Sequence, residues 1–410
     1  MRDRVRRRSS STSGATGLVA ALALVVAAGC SAGADDSSTA GSTASSTATS
    51  APASSAAPGS TAVPPPPAGA GCAQQTLGTL DLDGQVGQLL MVGVPATDPV
   101  AGFAAISDVE VGGVFLRGRS SAGAAAIGAA VAELQAEVPV PLQVAVDQEG
   151  GLVQTLKGPG FELLPSALEQ ARQGPDALRA SVSGWAGQLR AAGITMDLAP
   201  VADTVPAGTE AGNPPIGAFD RQYGSDPAQV AEAVTATVGA LQDAGVAATV
   251  KHFPGLGRVD VNTDTDTGAN DPETTPTDPN LAPFAAAVTA GTGAVMVSSA
   301  TYPQLDPDRL AVFSPVVVDL LRQQLGFTGV VVSDDLGAAV ALSAVPVGNR
   351  AVDAVAAGVD VVLTVEPDQA GTMASALAER ARTDPGFAAR VTESAGRVLA
   401  LKERFGLLPC

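Results

Sequence analysis

The chain carries one histidine, and it stands where polar chemistry is densest. In "KHFPGLGRVDVNTDTDTG" (Lys251–Gly268) an apolar run ends on the pair Lys251–His252, followed by a Pro-Gly turn and a cluster of aspartates. A lysine, a histidine and several carboxyls within one short stretch can bind hydroxyls and exchange protons, if their surroundings tune their proton affinities. Other polar residues close other apolar runs: Asp147, Asp197, Ser298, Asp334 and Glu366. Each has a plain structural alternative. An aspartate just past a strand caps the next helix, a lysine pairs with a neighbouring carboxylate, and a lone histidine is satisfied inside a core.

The elements that must position these residues are legible as apolar runs. Eight of them read as strands: Gln88–Val94, Val111–Leu116, Leu142–Asp147, Ile194–Ala199, Ala247–His252, Gly293–Ser298, Gly329–Asp334 and Val359–Val365. They are continuous rather than alternating, as strands buried on both faces are. Ala-rich amphipathic stretches lie between them, among them Ser120–Val138, Ala167–Ala192 and Asp226–Ala244. Eight β/α units predict an α/β fold, a (β/α)8 TIM barrel forming a single catalytic domain. A doubly wound open sheet is the alternative, weakened because no G-x-G-x-x-G follows the first strand. In a barrel the C-terminal strand ends share one face, so the polar residues above would converge there.

Composition frames the domain. Five arginines in the first eight residues precede the apolar run "GLVAALALVVAAGC", a secretory pattern too short to span a bilayer. The small residues before Cys30 resemble a bacterial lipobox, which predicts a signal peptide over residues 1–29 and lipidation of Cys30. Residues 30–71 are almost entirely Ser, Thr, Ala, Gly and Pro and read as a disordered tether. The folded domain then spans residues 72–410. This predicts an exported protein, lipid-anchored to the outer face of the bacterial cytoplasmic membrane, with its domain in the cell-wall space. Two cysteines remain, Cys72 and Cys410, one at each end of the domain. In an exported protein such a pair can form a disulfide, and a closed barrel brings its first and last elements together. Five arginines and one aspartate leave with residues 1–29, taking the formal charge from −18 to −22. That excludes nucleic acid and anionic membrane as partners; membrane contact is through the lipid alone.

Five motifs then occur in order: "VAVDQEGG" (Val144–Gly151), "MDLAPVAD" (Met196–Asp203), "NPPIGAFDRQYGSDP" (Asn213–Pro227), "KHFPGLG" (Lys251–Gly257) and "GFTGVVVSDDLG" (Gly326–Gly337). Together with the closing "ESAGRVLALKERFGLL" (Glu393–Leu408), they resemble the family 3 glycoside hydrolases, specifically bacterial single-barrel β-N-acetylhexosaminidases, from about Leu80 onward. The resemblance implies a retaining hydrolase, in which a carboxylate attacks the anomeric carbon. It assigns the nucleophile to Asp334 and binding of sugar hydroxyls to Asp147, Lys251, His252 and Arg221, the last through a forked hydrogen bond. It calls for no cofactor and no metal. The D-x-D-x-D spacing of the loop also lacks the rest of a calcium-binding loop.

The proton-transfer side departs from that family. Its acid/base is a histidine, paired with an aspartate two residues earlier on the loop after "KHFPGHG". Here the second histidine of that stretch is Leu256, and counting onward puts Asn262 at the aspartate and Asp264 at the histidine. Ser299, Leu152 and Thr155 also replace residues common in the group. The sequence therefore predicts a hydrolase of β-linked N-acetylglucosamine-type sugars of cell-wall origin, monomeric, with Asp264 as acid/base and Asp260 and Asp266 as lesser candidates. The alternative is a catalytically impaired relative acting as a cell-envelope sugar-binding or scaffold lipoprotein; 3% aromatic residues leave few stacking platforms for that role.

Overall fold

The computed structural model describes residues 71–410. The signal-like segment, Cys30 and all but the last residue of the tether lie outside the described residues. Eight strands, numbered here β1 to β8, form the barrel: Leu90–Pro95, Gly113–Arg117, Gln143–Val146, Met196–Asp197, Ala247–Phe253, Ala294–Val297, Val330–Ser333 and Val362–Thr364. Neighbours in sequence are neighbours in space, every pairing is parallel, and β8 pairs with β1. The seam between β7 and β8 is closed by a bridge from Val332 to Val361, with Ser333 N–H donating to the Val361 carbonyl at 2.9 Å. The (β/α)8 barrel expected from the eight apolar runs is what the chain forms.

The continuous apolar runs arise because both strand faces are buried. One face fills the barrel with Met91, Phe115, Ala145, Met196, Met296 and Val332. The alternate face, including Val92, Val114, Val144 and Val331, packs under the surrounding helices. The helix Pro385–Arg404 plugs the N-terminal end of the barrel with Val398 and Leu401. It is held there by Asp360, wholly buried at the start of the last strand. Asp360 accepts from Arg322 at 2.5 Å, Arg397 at 3.2 Å, Ser394 at 2.9 Å and also from Arg390.

Boundaries moved where local chemistry overrides periodicity. The stretch Ala167–Ala192 is two helices, Ala167–Ala171 and Pro175–Ala191, because Gly174 takes a positive φ of 78° and Pro175 can only start a helix. The run Ser120–Val138 is helical from Ala124 to Ala136, and Asp226–Ala244 is helical from Pro227 to Asp243 behind an Asp226 cap. Two antiparallel hairpins went unforeseen: Gln148–Gly150 with Val153–Gln154 after β3, and Thr301–Tyr302 with Asp306–Leu310 after β6.

The ends are joined as expected. Cys72 and Cys410 form a disulfide with Cα atoms 5.7 Å apart. Glu403, on the closing helix, accepts from the backbone N–H groups of Cys72 and Ala73, capping the first helix. Among the described residues no helix is long and apolar enough to cross a membrane.

Beneath the barrel floor, Lys402 is fully buried and donates to the Gln88 side chain at 2.6 Å. With no carboxylate to offset it, burial pushes its ammonium down to about 7. A folded-state value below the unfolded one costs stability, in full below pH 7 and progressively less as pH rises toward the ordinary lysine range. Lys402→Met should therefore stabilise the domain, with a gain in melting temperature that is largest below pH 7 and shrinks by pH 9–10. Melting curves across that range check it; a gain independent of pH would contradict the assignment.

Candidate active site

Strand parity selects what faces the barrel mouth. Residues alternate between the two faces of a strand, and Ala145, Ala247, Met296 and Val332 all point inside. Counting on by twos at the C-terminal ends puts Asp147, Lys251, Ser298 and Asp334 on that same inner face, in one ring. By the same count Asp197, which follows inward Met196, points outward, so it does not join them. It is completely buried and accepts from the Gln148 N–H at 3.0 Å, while its other oxygen has no partner. Burial, unrelieved by that one hydrogen bond, pushes its carboxyl well above the usual range. Glu366 lies half-buried past the end of β8.

The centre of the ring is an ion cluster. Lys251 donates to Asp147 at 2.6 Å and pairs with Glu149 at 2.7 Å. Arg221 grips the same Glu149 with two prongs, Nε at 2.9 Å and a terminal nitrogen at 2.7 Å, and gives its remaining arm to the Pro215 carbonyl at 2.7 Å. The fork expected to meet a sugar is thus engaged with Glu149. Burial opposes ionisation of Glu149, yet Arg221 and Lys251 overcome it and hold the carboxyl far below the usual range. Burial likewise opposes the charge on Lys251, and Asp147 and Glu149 hold it protonated above the ordinary lysine value.

His252 is buried beside this cluster. Its Nδ1 lies 2.7 Å from an Asp203 oxygen, and the other Asp203 oxygen accepts from the backbone N–H groups of His252 at 3.2 Å and Leu256 at 2.7 Å. A carboxylate partner makes Nδ1 the donor, leaving Nε2 as an acceptor 3.5 Å from Arg221. The bond between Lys251 and His252 is cis. Leu256, at the position of the second histidine of the motif, is packed in the core.

At the end of β7 two consecutive aspartates diverge. Asp335 accepts three backbone N–H groups, from Gly337 at 2.9 Å, Ala338 at 2.8 Å and Val365 at 2.9 Å. It is the structural member of the pair. Asp334 is half-buried and accepts only the Asp335 N–H, at 2.9 Å, so it faces the mouth with a carboxylate oxygen to spare. The aspartate-rich loop is pinned against this segment: Ala341 N–H donates to the Thr263 carbonyl at 3.1 Å, and Val340 N–H to that of Asp264 at 3.3 Å. Asn262 orients the turn by accepting the Asp264 N–H at 2.9 Å. Asp264 is exposed as a residue, yet partial desolvation and the charge of Asp334, outweighing the pull of His252 and Arg221, push its carboxyl up to about 6. Asp260 and Asp266 are exposed on the same loop, and Asp266 accepts from the Thr265 hydroxyl at 2.6 Å.

The structure therefore brings together Asp147, Arg221, Lys251, His252 and Asp334, with Asp264 within electrostatic reach of Asp334, His252 and Arg221. Reasoning from the sequence missed Glu149 and Asp203. Both lay inside motifs already singled out, but the signal that finds them is a pairing across the fold: Glu149 meets Arg221 72 positions away, and Asp203 meets His252 49 positions away.

Comparison with known proteins identifies the family of the barrel. Residues 81–401 match the glycosyl hydrolase family 3 N terminal domain. The chain is similar to a crystal structure of a β-N-acetylhexosaminidase from Beutenbergia cavernae, at 47% identity and a TM-score of 0.77, covering 79% of this chain and 98% of that one. It also resembles a family 3 β-N-acetylglucosaminidase structure from Paenibacillus, at 34% identity and a TM-score of 0.72, covering 81% of this chain and 64% of that one. A β-hexosaminidase from Xanthomonas oryzae is 39% identical over 268 residues, 63% of this chain and 77% of its own length.

Removing one partner of a buried ion cluster leaves the others desolvated and unpaired. Glu149→Gln should cost about 3 kcal/mol of stability, the lower end for such a break because Lys251 keeps Asp147. Denaturant unfolding measures this; a loss below about 1 kcal/mol would show that the cluster is not what holds these three segments.

Proposed function

The chain belongs to glycosyl hydrolase family 3, and on that premise we propose that it hydrolyses β-linked N-acetylglucosamine-type sugars with retention, Asp334 acting as nucleophile and Asp264 as acid/base. The observation that carries this reading is the pinning of the Asp264 loop to the segment after β7, through Val340 N–H to the Asp264 carbonyl at 3.3 Å and Ala341 N–H to that of Thr263 at 3.1 Å, near enough for the charge of Asp334 to act on Asp264. The Asp334 carboxylate attacks the anomeric carbon as the bond to the leaving oxygen breaks, and Asp264 gives that oxygen its proton. Once Asp334 is esterified by the sugar, its negative charge is gone. The main charge raising Asp264 then disappears, and the carboxyl falls toward its ordinary acidity, ready to take a proton from the water that releases the sugar. One pair of carboxyls thus cycles between acid and base without a third group. Asp147, Lys251 and the Nε2 of His252 supply hydroxyl-binding acceptors and donors, while Arg221 acts by holding Glu149.

The second reading, a sugar-binding lipoprotein that no longer turns over, draws on Leu256 in the core and on Ser299, whose buried hydroxyl has no partner. Leaving groups separate the two. An acid matters for a sugar leaving group and little for nitrophenolate. Asp264→Asn should cut kcat/KM on disaccharides by about 100-fold or more and far less on nitrophenyl glycosides. With the wild type, kcat/KM on disaccharides should decline above pH 6 as Asp264 loses its proton, and the variant should lose that limb. Asp334→Asn should abolish both activities. Calorimetric binding of N-acetylglucosamine without turnover of either substrate would favour the sugar-binding reading, and full activity in both variants would refute the assignment.

The arginine-rich start, the apolar run and Cys30 support a further part of the proposal, a lipid-anchored protein facing the cell wall. Cys30→Ala should shift the protein from the membrane fraction to the medium, and identical fractionation of the two forms would refute the anchor.

A further inference from the structure

One cation at the barrel mouth has no partner. Arg117 ends β2, two residues beyond Phe115, which points inside the barrel. The same parity that turns Asp147 inward therefore turns Arg117 inward, and the register of Phe115 with Ala145 puts the two at one level. Its side chain runs across the first strand: a Cβ built on Gly93 would come within 3.0 Å of Arg117 Cδ and 2.8 Å of Val365 Cα. Gly93 thus leaves the space in which the arginine lies, directed toward the end of β8, next to the β7 end that carries Asp334.

Arg117 is half-buried, and its Nε is shielded from solvent without a hydrogen-bond partner. Among the described residues no carboxylate pairs with it. Other arginines of the barrel are satisfied: Arg221 by Glu149, Arg322 by Asp360, Arg258 by Asp278, Arg350 by the carbonyls of Val345, Leu336 and Gly337. A chain with 41 acidic and 23 basic residues does not lack carboxylates to supply. Asp334 and Glu366 end the neighbouring strands without pairing with it, and two further cations lie on the adjoining segments. Arg119 is tied to the carbonyls of Gly118 and Leu152 at 2.9 and 2.8 Å, and Lys157, whose N–H meets the Ser120 carbonyl at 2.8 Å, likewise has no ion pair among the described residues. A partly desolvated guanidinium without a counter-charge is costly in the empty site and becomes favourable when an anion arrives.

We propose that Arg117 is an anion-recognising subsite of the sugar-binding mouth, selecting substrates that carry a carboxylate. The proposal rests on the hydrolase reading for its substrate and on the geometry above for its site. The planar fork of a guanidinium matches a carboxylate with two parallel hydrogen bonds, which a neutral hydroxyl cannot offer. The carboxylate can sit on the sugar that is cleaved or on the group that leaves, and matched substrates distinguish the two.

Three β-N-acetylglucosaminides test this: a neutral parent, one with a carboxylate on the glycone and one with a carboxylate on the aglycone. The wild-type protein should prefer at least one acidic member over the neutral parent by kcat/KM. Arg117→Met should reduce that acidic-to-neutral ratio about tenfold or more, the scale of one charge-assisted hydrogen bond, and Arg117→Lys should restore part of it. The preference should also weaken with added salt. Calorimetry with the corresponding free sugar acid and neutral sugar reads the same discrimination without turnover. A protein that hydrolyses none of the three but binds the acid through Arg117 would sink the hydrolase reading and keep the subsite. A ratio, kinetic or calorimetric, that is the same in wild type and Arg117→Met would overturn the subsite. An unchanged melting temperature in Arg117→Met separates lost recognition from misfolding.

Discussion

A carboxylate with almost no access to water, Glu149, sits between two cations at the mouth of this barrel. Removing a carboxylate, an ammonium and a guanidinium from water is expensive, and the expense is offset only when geometry leaves no charge unanswered. Here it does: Lys251 bridges two carboxylates and Arg221 is bidentate. The cluster joins the hairpin after β3, the long loop after β4 and the end of β5, and Asp203 ties the last two together again through His252 and Leu256. It also fixes their charge states. Glu149 is held below the usual carboxylate range, and Lys251 and Arg221 above their ordinary values, so near neutral pH all three are charged. Against those constant charges Asp264 is set apart, since its proton affinity depends on whether Asp334 is charged.

The barrel divides its polar investments between its two ends. At the N-terminal end Asp360 gathers three arginines and a serine, closing the bottom and seating the last helix. That network is nearly complete: among its members only the Nε of Arg390 is buried without a partner. At the C-terminal end some groups are left incomplete: Asp334 has an uncommitted oxygen and Arg117 a guanidinium without a counter-charge. Conserving satisfaction at one end and withholding it at the other is what the active face of a barrel requires.

The barrel was legible in the sequence because strands buried on both faces write themselves as unbroken apolar runs, and all eight were readable that way. What was least legible was extent. The fourth strand, read as Ile194–Ala199, is only Met196–Asp197 before Pro200 and a single bridge from Val201 to Lys251 take over. The strand-end residues Asp147, Lys251, His252 and Asp334 were legible from position and motif together. Asp197 was not, because the inward or outward sense of a strand-end residue depends on a parity that only packing reveals. Glu149 and Asp203 were hidden for a different reason: each lies past its strand, and its role is defined by a partner far along the chain. Arg117 ends a strand and was passed over because an arginine gives no sign in sequence of whether it is paired.

The loop substitutions make electrostatic sense when Asn262 and Asp264 are taken together. In the pattern that this loop resembles, an aspartate precedes a histidine by two residues. With the imidazole neutral, that pair carries a net charge of minus one; with the imidazole protonated, it carries none. Asn262 with ionised Asp264 also carries minus one, and with protonated Asp264 also none. The two-residue change therefore preserves the net charge of the loop in both the acid and the base form. A single change would not have done so. An aspartate kept at 262 would put a second anion beside Asp264, further raising its affinity and hindering its return to the base form. The neutral amide at 262 instead accepts the Asp264 backbone N–H and orients the turn without adding charge. On this view desolvation and then Asp334 raise Asp264, with a smaller push from Asp335, so part of its proton affinity is lost when the nucleophile is used.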